Sequence, residues 1–335
     1  MKTAIAILNW NGQELLKEFL PSVVSYSKNA GVYVIDNASD DDSVHYLQTE
    51  FPEVKIIRNP ENFGFAKGYN FGIQQILKED PAIEIFCLLN SDVQVTENWT
   101  EPILELFDSQ PDIAAIQPKI LDYKNPSKFE YAGAGGGFID NFGYPYCRGR
   151  VFWTLEEDKA QYDDTLQVFW ASGACLFIRT TDFLNTKGFD ESFFAHMEEI
   201  DLCWRLNNSG RKVYYCGASK VYHLGGGTLK TNSPQKTYLN FRNNLGMLVK
   251  NLPKKKRFPI IFSRLFLDGI TGIIFLFYEG FPHCWAIVRA HFGFYKRLPA
   301  YLKNTKSTQL IYFSKKWVPI QYFVKKRRYF SDLEG

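Results

Sequence analysis

Acidic and amide side chains recur in this 335-residue chain directly after short apolar runs. Asn9 and Asn11 follow residues 3–8 (TAIAIL), Asp36 and Asn37 follow Val32 to Ile35, and Asn90-Ser91-Asp92 follows Ile83 to Leu89. Turn preference accounts for any one such cluster, but several in a row, without a Lys or Arg among them, point to one polar crevice. A carboxylate at a strand mouth, as at Asp92, can hold a hard divalent ion that bridges the phosphates of a nucleotide. His223, ahead of Gly225-Gly226-Gly227, is a candidate second ligand, with a structural histidine as the equal alternative.

Further along, Glu198-Glu199-Ile200-Asp201 places three carboxylates in four positions. On a helix Glu198 and Asp201 share a face, and Glu199 points about 100° away. Crowded carboxylates raise one another's pKa, which suits a general base. The plain alternative is an acidic first turn favoured by the helix dipole, with Asp201 pairing Arg205 at i+4.

These groups need elements to position them. Leu15, Leu16, Phe19, Leu20 and Val23 have helical spacing, and Ser39 or a neighbouring Asp can cap a helix to about Glu50. Val54 to Ile57 reads as a strand and Phe63 to Leu77 as a helix. Such alternation predicts a parallel, doubly wound sheet whose ligands lie beyond the carboxyl ends of its strands. Residues 123–165, with the run Gly133 to Gly137, read as a flexible loop near a substrate site, since no GxGxxG pattern opens a helix there. Val168 to Ile178 is strand-like with a break at Gly173, Glu198 to Leu206 is helical, and Lys212 to Tyr222 is a strand.

The chain is 45% apolar and 22% charged, a composition that excludes disordered and fibrous classes. Its formal charge of +3 hides a split: residues 248–335 hold 17 Lys/Arg against 4 Asp/Glu, so the tail carries +13 and the body −10. A basic, aromatic tail suggests an anionic partner, membrane or nucleic acid. Ile260 to Tyr278 approaches the length of a membrane span, but Arg264 and Asp268 lie inside it at a cost of ~2.5–3.5 kcal/mol each at a helix centre. With Lys254-Lys255-Lys256-Arg257 and Lys325-Lys326-Arg327-Arg328 alongside, helices lying in a membrane interface are the expectation. Six scattered cysteines without a CxxC pair predict a reducing compartment, and the N-terminus does not read as a signal peptide.

Taken together, AIAILNWNG, VIDNASDDDS, NPENFGFAKGYNFGI, LLNSDV, WASGACLFI, GFDESFFAHMEEIDLCWRL and VYHLGGG resemble the family 2 glycosyltransferases, specifically their rhamnosyltransferase-like branch. The resemblance runs in order from residue 3 to about 245. It implies an α/β fold of GT-A type, a mostly parallel mixed sheet flanked by helices. Residues 1–245 would form the enzyme domain (1–118 for nucleotide, 119–245 for acceptor), and 246–335 a helical, membrane-associating extension. It implies an inverting transfer of a sugar, rhamnose being one candidate, from a nucleotide-diphosphate donor to a lipid-linked or cell-surface saccharide. The enzyme would work in the cytoplasm, at the inner face of the cell membrane.

By motif, Asn9, Asn11, Asp36, Asn37, Asn62, Gly64, Phe65, Ala66, Asn70 and Ser91 would bind the donor nucleotide. Asp92, His223 and Asn90 would surround Mg2+ or Mn2+, and Trp170, Gly173, Ala174 and Asp201 would face sugar and acceptor. The branch usually shows Glu-Asp-x-Asp at the base; here the second residue is Glu199, so Glu198 and Glu199 both stand as candidate bases. Asn90 takes the first place of the DxD-type motif and supplies no negative charge. A metal-dependent sugar nucleotidyltransferase is the alternative enzyme, although Asn9 to Gly12 offers no cation to grip a triphosphate. A non-catalytic membrane or nucleic-acid binder is the alternative of another class. The tail's basic residues interleave with Phe, Leu and Ile runs, which disfavours nucleic acid.

Overall fold

The structure is a computed structural model describing residues 1–131, 133–225, 233–303 and 317–334. Gly226 and Gly227 of the expected glycine run lie outside the described residues.

In the first half, β1 (Thr3–Asn9), α1 (Gln13–Tyr26), β2 (Ala30–Asp36), α2 (Ser43–Glu50), β3 (Lys55–Arg58), α3 (Gly64–Glu79) and β4 (Ile85–Asn90) alternate as the apolar runs predict. β1 is apolar throughout because both its faces are covered. Ile5 and Ile7 pack with Leu16, Leu20 and Val23 of α1, whereas Ala4 and Ala6 pack with Ala66, Tyr69 and Ile73 of α3. Of the two expected caps at the α2 start, the neighbouring Asp is the one engaged: Asp41 accepts from the Ser43 amide at 3.1 Å, while Ser39 Oγ takes the Asn11 amide at 2.9 Å.

The chain continues through β5 (Val93–Val95), α4 (Glu101–Ser109) and β6 (Ile113–Asp122). Residues expected to form a loop fold instead into a small antiparallel sheet of β7 (Gly137–Ile139), β8 (Pro145–Cys147), β9 (Arg150–Val151) and β10 (Thr154–Leu155). Its glycines serve close backbone pairing, as where the Gly135 amide donates to Arg148 O at 2.9 Å. The strand-like run broken at Gly173 becomes two strands, β11 (Thr165–Val168) and β12 (Cys175–Arg179), on different neighbours. After α5 (Thr180–Asn185) and α6 (Glu198–Asn208) comes β13 (Lys212–His223).

The large sheet runs β11-β13-β6-β12-β4-β1-β2-β3, with β5 on the end of β13. β3, β2, β1 and β4 are parallel, β12 runs antiparallel between β4 and β6, and β13 lies parallel to β6. Asn9 pairs with Asp36 and Leu8 with Asn90, so the polar strand ends stand at one level.

The tail forms α7 (Pro234–Asn251), α8 (Lys254–Tyr278) and α9 (Phe281–Lys303), then a π turn at Ile320–Val324 and α10 (Ser331–Glu334). Ser233 caps α7 by accepting the Lys236 amide at 3.2 Å, ahead of Pro234 in the first turn. α8 is long and apolar enough to cross a membrane, yet Arg264 and Asp268 face inward and are buried. Arg264 Nη1 donates to Gly143 O at 3.0 Å, and its guanidinium lies 3.7 Å from the centre of the Tyr144 ring. The two charges therefore fasten α8 to the body and leave its outward face uncharged beyond the basic first turn.

Candidate active site

A cleft of about 580 Å3 opens beyond the carboxyl ends of β1, β4 and β13. Asn37, Asn62, Gly64, Phe65, Asn90, Ser91, Asp92, Trp170, Gly173, Ala174, Glu198, Glu199 and His223 all line it. Thus most of the site residues expected from sequence converge in one place, although they lie up to 186 positions apart in the chain (Asn37 to His223).

Others do not line it. Asp201 is 0% exposed, with Oδ1 bound by Lys250 Nζ at 2.8 Å and Asn251 Nδ2 at 2.7 Å, and Oδ2 by Arg205 Nε at 2.8 Å. Asp201, expected to face the acceptor, is instead tied to these three groups and does not line the cleft. Asn70 is likewise committed, its Oδ1 accepting the Phe189 amide and its Nδ2 donating to Phe189 O, both at 2.9 Å. Ala66 is buried in the α3 core, and its amide donates to Phe194 O at 3.2 Å. Asn9 and Asp36 are buried beneath the cleft floor, where Asn9 Nδ2 reaches Ser39 Oγ at 3.2 Å. Asn11, in a left-handed conformation, accepts from the Asp40 amide at 2.7 Å. These last three tie two strand-end loops together and leave Trp10 to line the cleft.

Asn37 is the organiser of the floor. Its Oδ1 accepts from Asn59 Nδ2 at 2.9 Å and the Phe63 amide at 3.1 Å; its Nδ2 donates to Asn62 Oδ1 at 2.9 Å and Gly64 O at 3.1 Å. Gly64 is obligatory, because φ is +71° and a Cβ there would stand 2.5 Å from the Phe194 ring.

At the far strand ends, His223 Nε2 lies 3.1 Å from Asp92 Oδ1 and 3.4 Å from Asn90 Nδ2, while Nδ1 lies 3.4 Å from Glu130 Oε2. Burial opposes a charge on this imidazole, but Glu130 and Asp92 outweigh it and hold its pKa up at about 10. A histidine between two carboxylates is a place that favours positive charge. Among the described residues no group of three or more His, Cys, Asp or Glu could hold a metal by itself. Asp92 and His223 with Asn90 fit a divalent ion that completes its shell from phosphate and water oxygens. Glu130 was not singled out from the sequence, since only the return of β13 beside β6 brings it to His223.

The paired glutamates begin α6. The backbone reaches them through Phe194, His196 and Met197, all at positive φ between 66° and 73°. Such conformations cost about 1–3 kcal/mol each and persist only where their surroundings impose them. Asn243 of α7 imposes them here: its Nδ2 donates to Phe193 O at 3.0 Å and to Ala195 O and His196 O at 2.8 Å. Arg242 adds a bond to Phe193 O at 3.0 Å. Glu198 and Glu199 each keep a buried Oε2 without a hydrogen-bond partner among the described residues. Burial raises the Glu199 pKa to about 7 against lowering by backbone amides. Burial, and then the charge of Glu199, push Glu198 well above the carboxylate range. His196 is driven the other way, to about 4, by burial and Lys236, so it stands neutral in the cleft.

Of the remaining walls, residues 123–165 were expected near a substrate site, whereas α7 and α8 were not. Tyr131, Tyr144, Tyr146, Arg150, Phe152 and Trp153 come from the small sheet region, and Lys236, Thr237, Asn240, Phe241 and Phe275 from α7 and α8. The concentration of Tyr in residues 123–165 was the available signal for the first group.

A mixed, mostly parallel sheet flanked by helices, with a polar crevice at its strand ends, is the GT-A fold of glycosyltransferases. Residues 4–132 match the family model described as glycosyl transferase family 2. It is 26% identical over 222 residues to N-acetylglucosaminyl-diphospho-decaprenol L-rhamnosyltransferase of Mycobacterium tuberculosis, covering 62% of this chain and 71% of that protein. The fold is similar to that of GalNAc-T7 with UDP, GalNAc and Mn2+, at TM-score 0.55 and 18% identity over 74% of this chain and just under half (47%) of that one. It is also similar to the mannosyltransferase PcManGT of Pyrobaculum calidifontis in complex with GDP-Man and Mn2+, at TM-score 0.51 and 12% identity over 89% of this chain and 75% of that one.

Proposed function

We propose that this glycosyltransferase moves a sugar, with rhamnose the leading candidate, from a nucleotide-diphosphate donor to a lipid-linked saccharide, with inversion, at the inner face of the cell membrane. The observation that carries this reading is the orphaned Oε2 of Glu199, in the same cleft as the Asp92–His223 pair. Rhamnose and the lipid-linked acceptor rest on the mycobacterial relative's name.

Trp10, Asn37, Asn62, Gly64 and Phe65 bind the nucleotide, and Ser91 lies beside the diphosphate. Asp92 and His223 would hold Mg2+ or Mn2+, which when bound neutralises the diphosphate and improves it as a leaving group. Trp170, Gly173 and Ala174 shape the sugar pocket. Glu199 accepts the proton of an acceptor hydroxyl, whose oxygen attacks the anomeric carbon from the face opposite the diphosphate. One such displacement inverts the configuration. Glu198 stays protonated beside it and keeps a second negative charge out of the pair. Anionic lipid, rather than nucleic acid, is the partner of the basic extension. The test is product analysis with a nucleotide sugar and a saccharide acceptor: nucleoside diphosphate released in step with sugar transfer is expected, and pyrophosphate release overturns the reading.

Glu130 orients His223 by placing its carboxylate 3.4 Å from Nδ1, on the side of the ring away from the Nε2 that faces Asp92. Outer partners of this kind alter metal affinity about 10–100-fold. Glu130→Gln is accordingly expected to weaken Mn2+ binding by that factor, read by the free-ion spin-resonance signal. An unchanged dissociation constant would reject the assignment.

A further inference from the structure

The outward face of α8 is a stripe of large apolar side chains: Phe258, Phe262, Phe266, Ile270, Ile273 and Phe277. Phe258 and Phe277 are each 79% exposed. Beside it α9 exposes Phe281, Trp285 and Phe292, spaced by four and seven residues, while its Ala286, Ile287, Ala290 and Phe294 are buried inward. The face is bordered by Lys254, Lys255, Lys256 and Arg257 at one end of α8 and by Lys296 and Arg297 on α9. Between residues 254 and 303 the acidic residues are Asp268, which is buried, and Glu279. A face that is aromatic at its centre and cationic at its edge is complementary to an anionic lipid surface.

The same helix also enters the active site. Phe275 lines the cleft with Phe241, while Ile274, Leu276 and Phe277, on the same turn, are exposed. The exposed apolar face and the apolar wall of the cleft therefore meet at the last turn of α8. Both helices keep their inner faces on the body, where Arg264 bonds to Gly143 O and Asp268 is buried. Only one side of each is left for lipid, which is the arrangement of an in-plane helix and not of a span.

We infer that α8 and α9 form a platform lying in one leaflet of an anionic membrane, and that the lipid chain of the acceptor enters the cleft from that leaflet past Phe275 and Phe241. This rests on the proposed lipid-linked acceptor and adds where that lipid is held. The reacting hydroxyl then reaches Glu199 while the chain stays in contact with apolar surface, so the lipid is never drawn into water.

The full-length protein is tested by flotation with vesicles of phosphatidylglycerol and phosphatidylcholine, and by transfer to two acceptors, one long-chain and one a short water-soluble analogue. Wild type is expected to float with the anionic vesicles. The triple variant Phe258→Ser, Phe262→Ser, Phe266→Ser is expected to lose at least tenfold in partitioning and in turnover of the vesicle-borne acceptor, with turnover of the soluble analogue unchanged. Phe275→Ala is expected to raise KM for the long-chain acceptor about tenfold relative to KM for the short one, with little change in the ratio of the kcat values. A wild-type chain that stays off the vesicles, or that sediments as a dimer disrupted by the same Ser variants, overturns the platform. An unaltered KM ratio overturns the lipid entrance. Flotation without transfer to either acceptor leaves the platform standing and overturns the proposed acceptor class.

Discussion

Glu199→Gln is expected to lower kcat by about 10²–10⁴-fold, the range for removing a general base, while nucleotide binding measured by titration calorimetry stays within a few-fold. Glu198→Gln should cost far less, because Gln imitates the protonated state in which the site holds that residue. Comparable losses in both would mean that the pair acts as a unit, and a larger loss in Glu198→Gln would reverse the two roles. The pH profile follows from the burial that raises the Glu199 pKa to about 7. A base works deprotonated, so kcat/KM should climb with pH to about 7 and level off above it. Stability should run the other way. The folded pKa lies above the unfolded value near 4.5, so the folded state binds more protons between those values and loses stability as pH rises through them. Glu199→Gln removes that loss, and its Tm should exceed that of wild type at pH 8.

Asp201→Asn is expected to destabilise the fold by about 3–5 kcal/mol in urea denaturation, the usual result of stranding a buried partner charge. Three cationic or amide groups converge on that carboxylate, and Lys250 also reaches Asp190 Oδ2 at 2.6 Å. Burial alone would raise the Asp201 pKa, but Lys250 and Arg205 overcome it and set it at about 2. The folded pKa is below the unfolded one near 3.8, so this contribution is complete above pH 4 and fades as pH falls toward 2. Combining Asp201→Asn with Lys250→Met should recover part of the loss, since the buried ammonium is then gone too. Strict additivity of the two variants would show that the groups do not interact.

The first half of the fold was legible because β1, β2 and β4 are short apolar runs covered on both faces, and their ends carry Asn9, Asp36 and Asn90 at matched register. The small sheet was not, since β7 to β10 are two or three residues long and show no period. The Glu198–Glu199 pair was legible as chemistry, but the means of holding it was not. No glycine marks the three left-handed residues before it, and Asn243 lies some 47 positions beyond His196. Arg264 and Asp268 were read as charges that disfavour a simple span. The structure adds where they go instead, since both point into protein.

α7 has a consequence for where this enzyme can be cut or transplanted. Its early turns wall the cleft, Asn243 at its middle pins the bend before the glutamates, and Lys250 and Asn251 at its end bind Asp201. A boundary drawn at residue 245 would pass through the middle of that helix and release its last two anchors. The smallest unit that keeps its catalytic bend thus includes Asn251. Because α8 begins three residues later, the helix that walls the candidate site and the helix proposed to meet lipid are neighbours in the chain. Swapping the extension between related enzymes should therefore alter turnover as well as attachment.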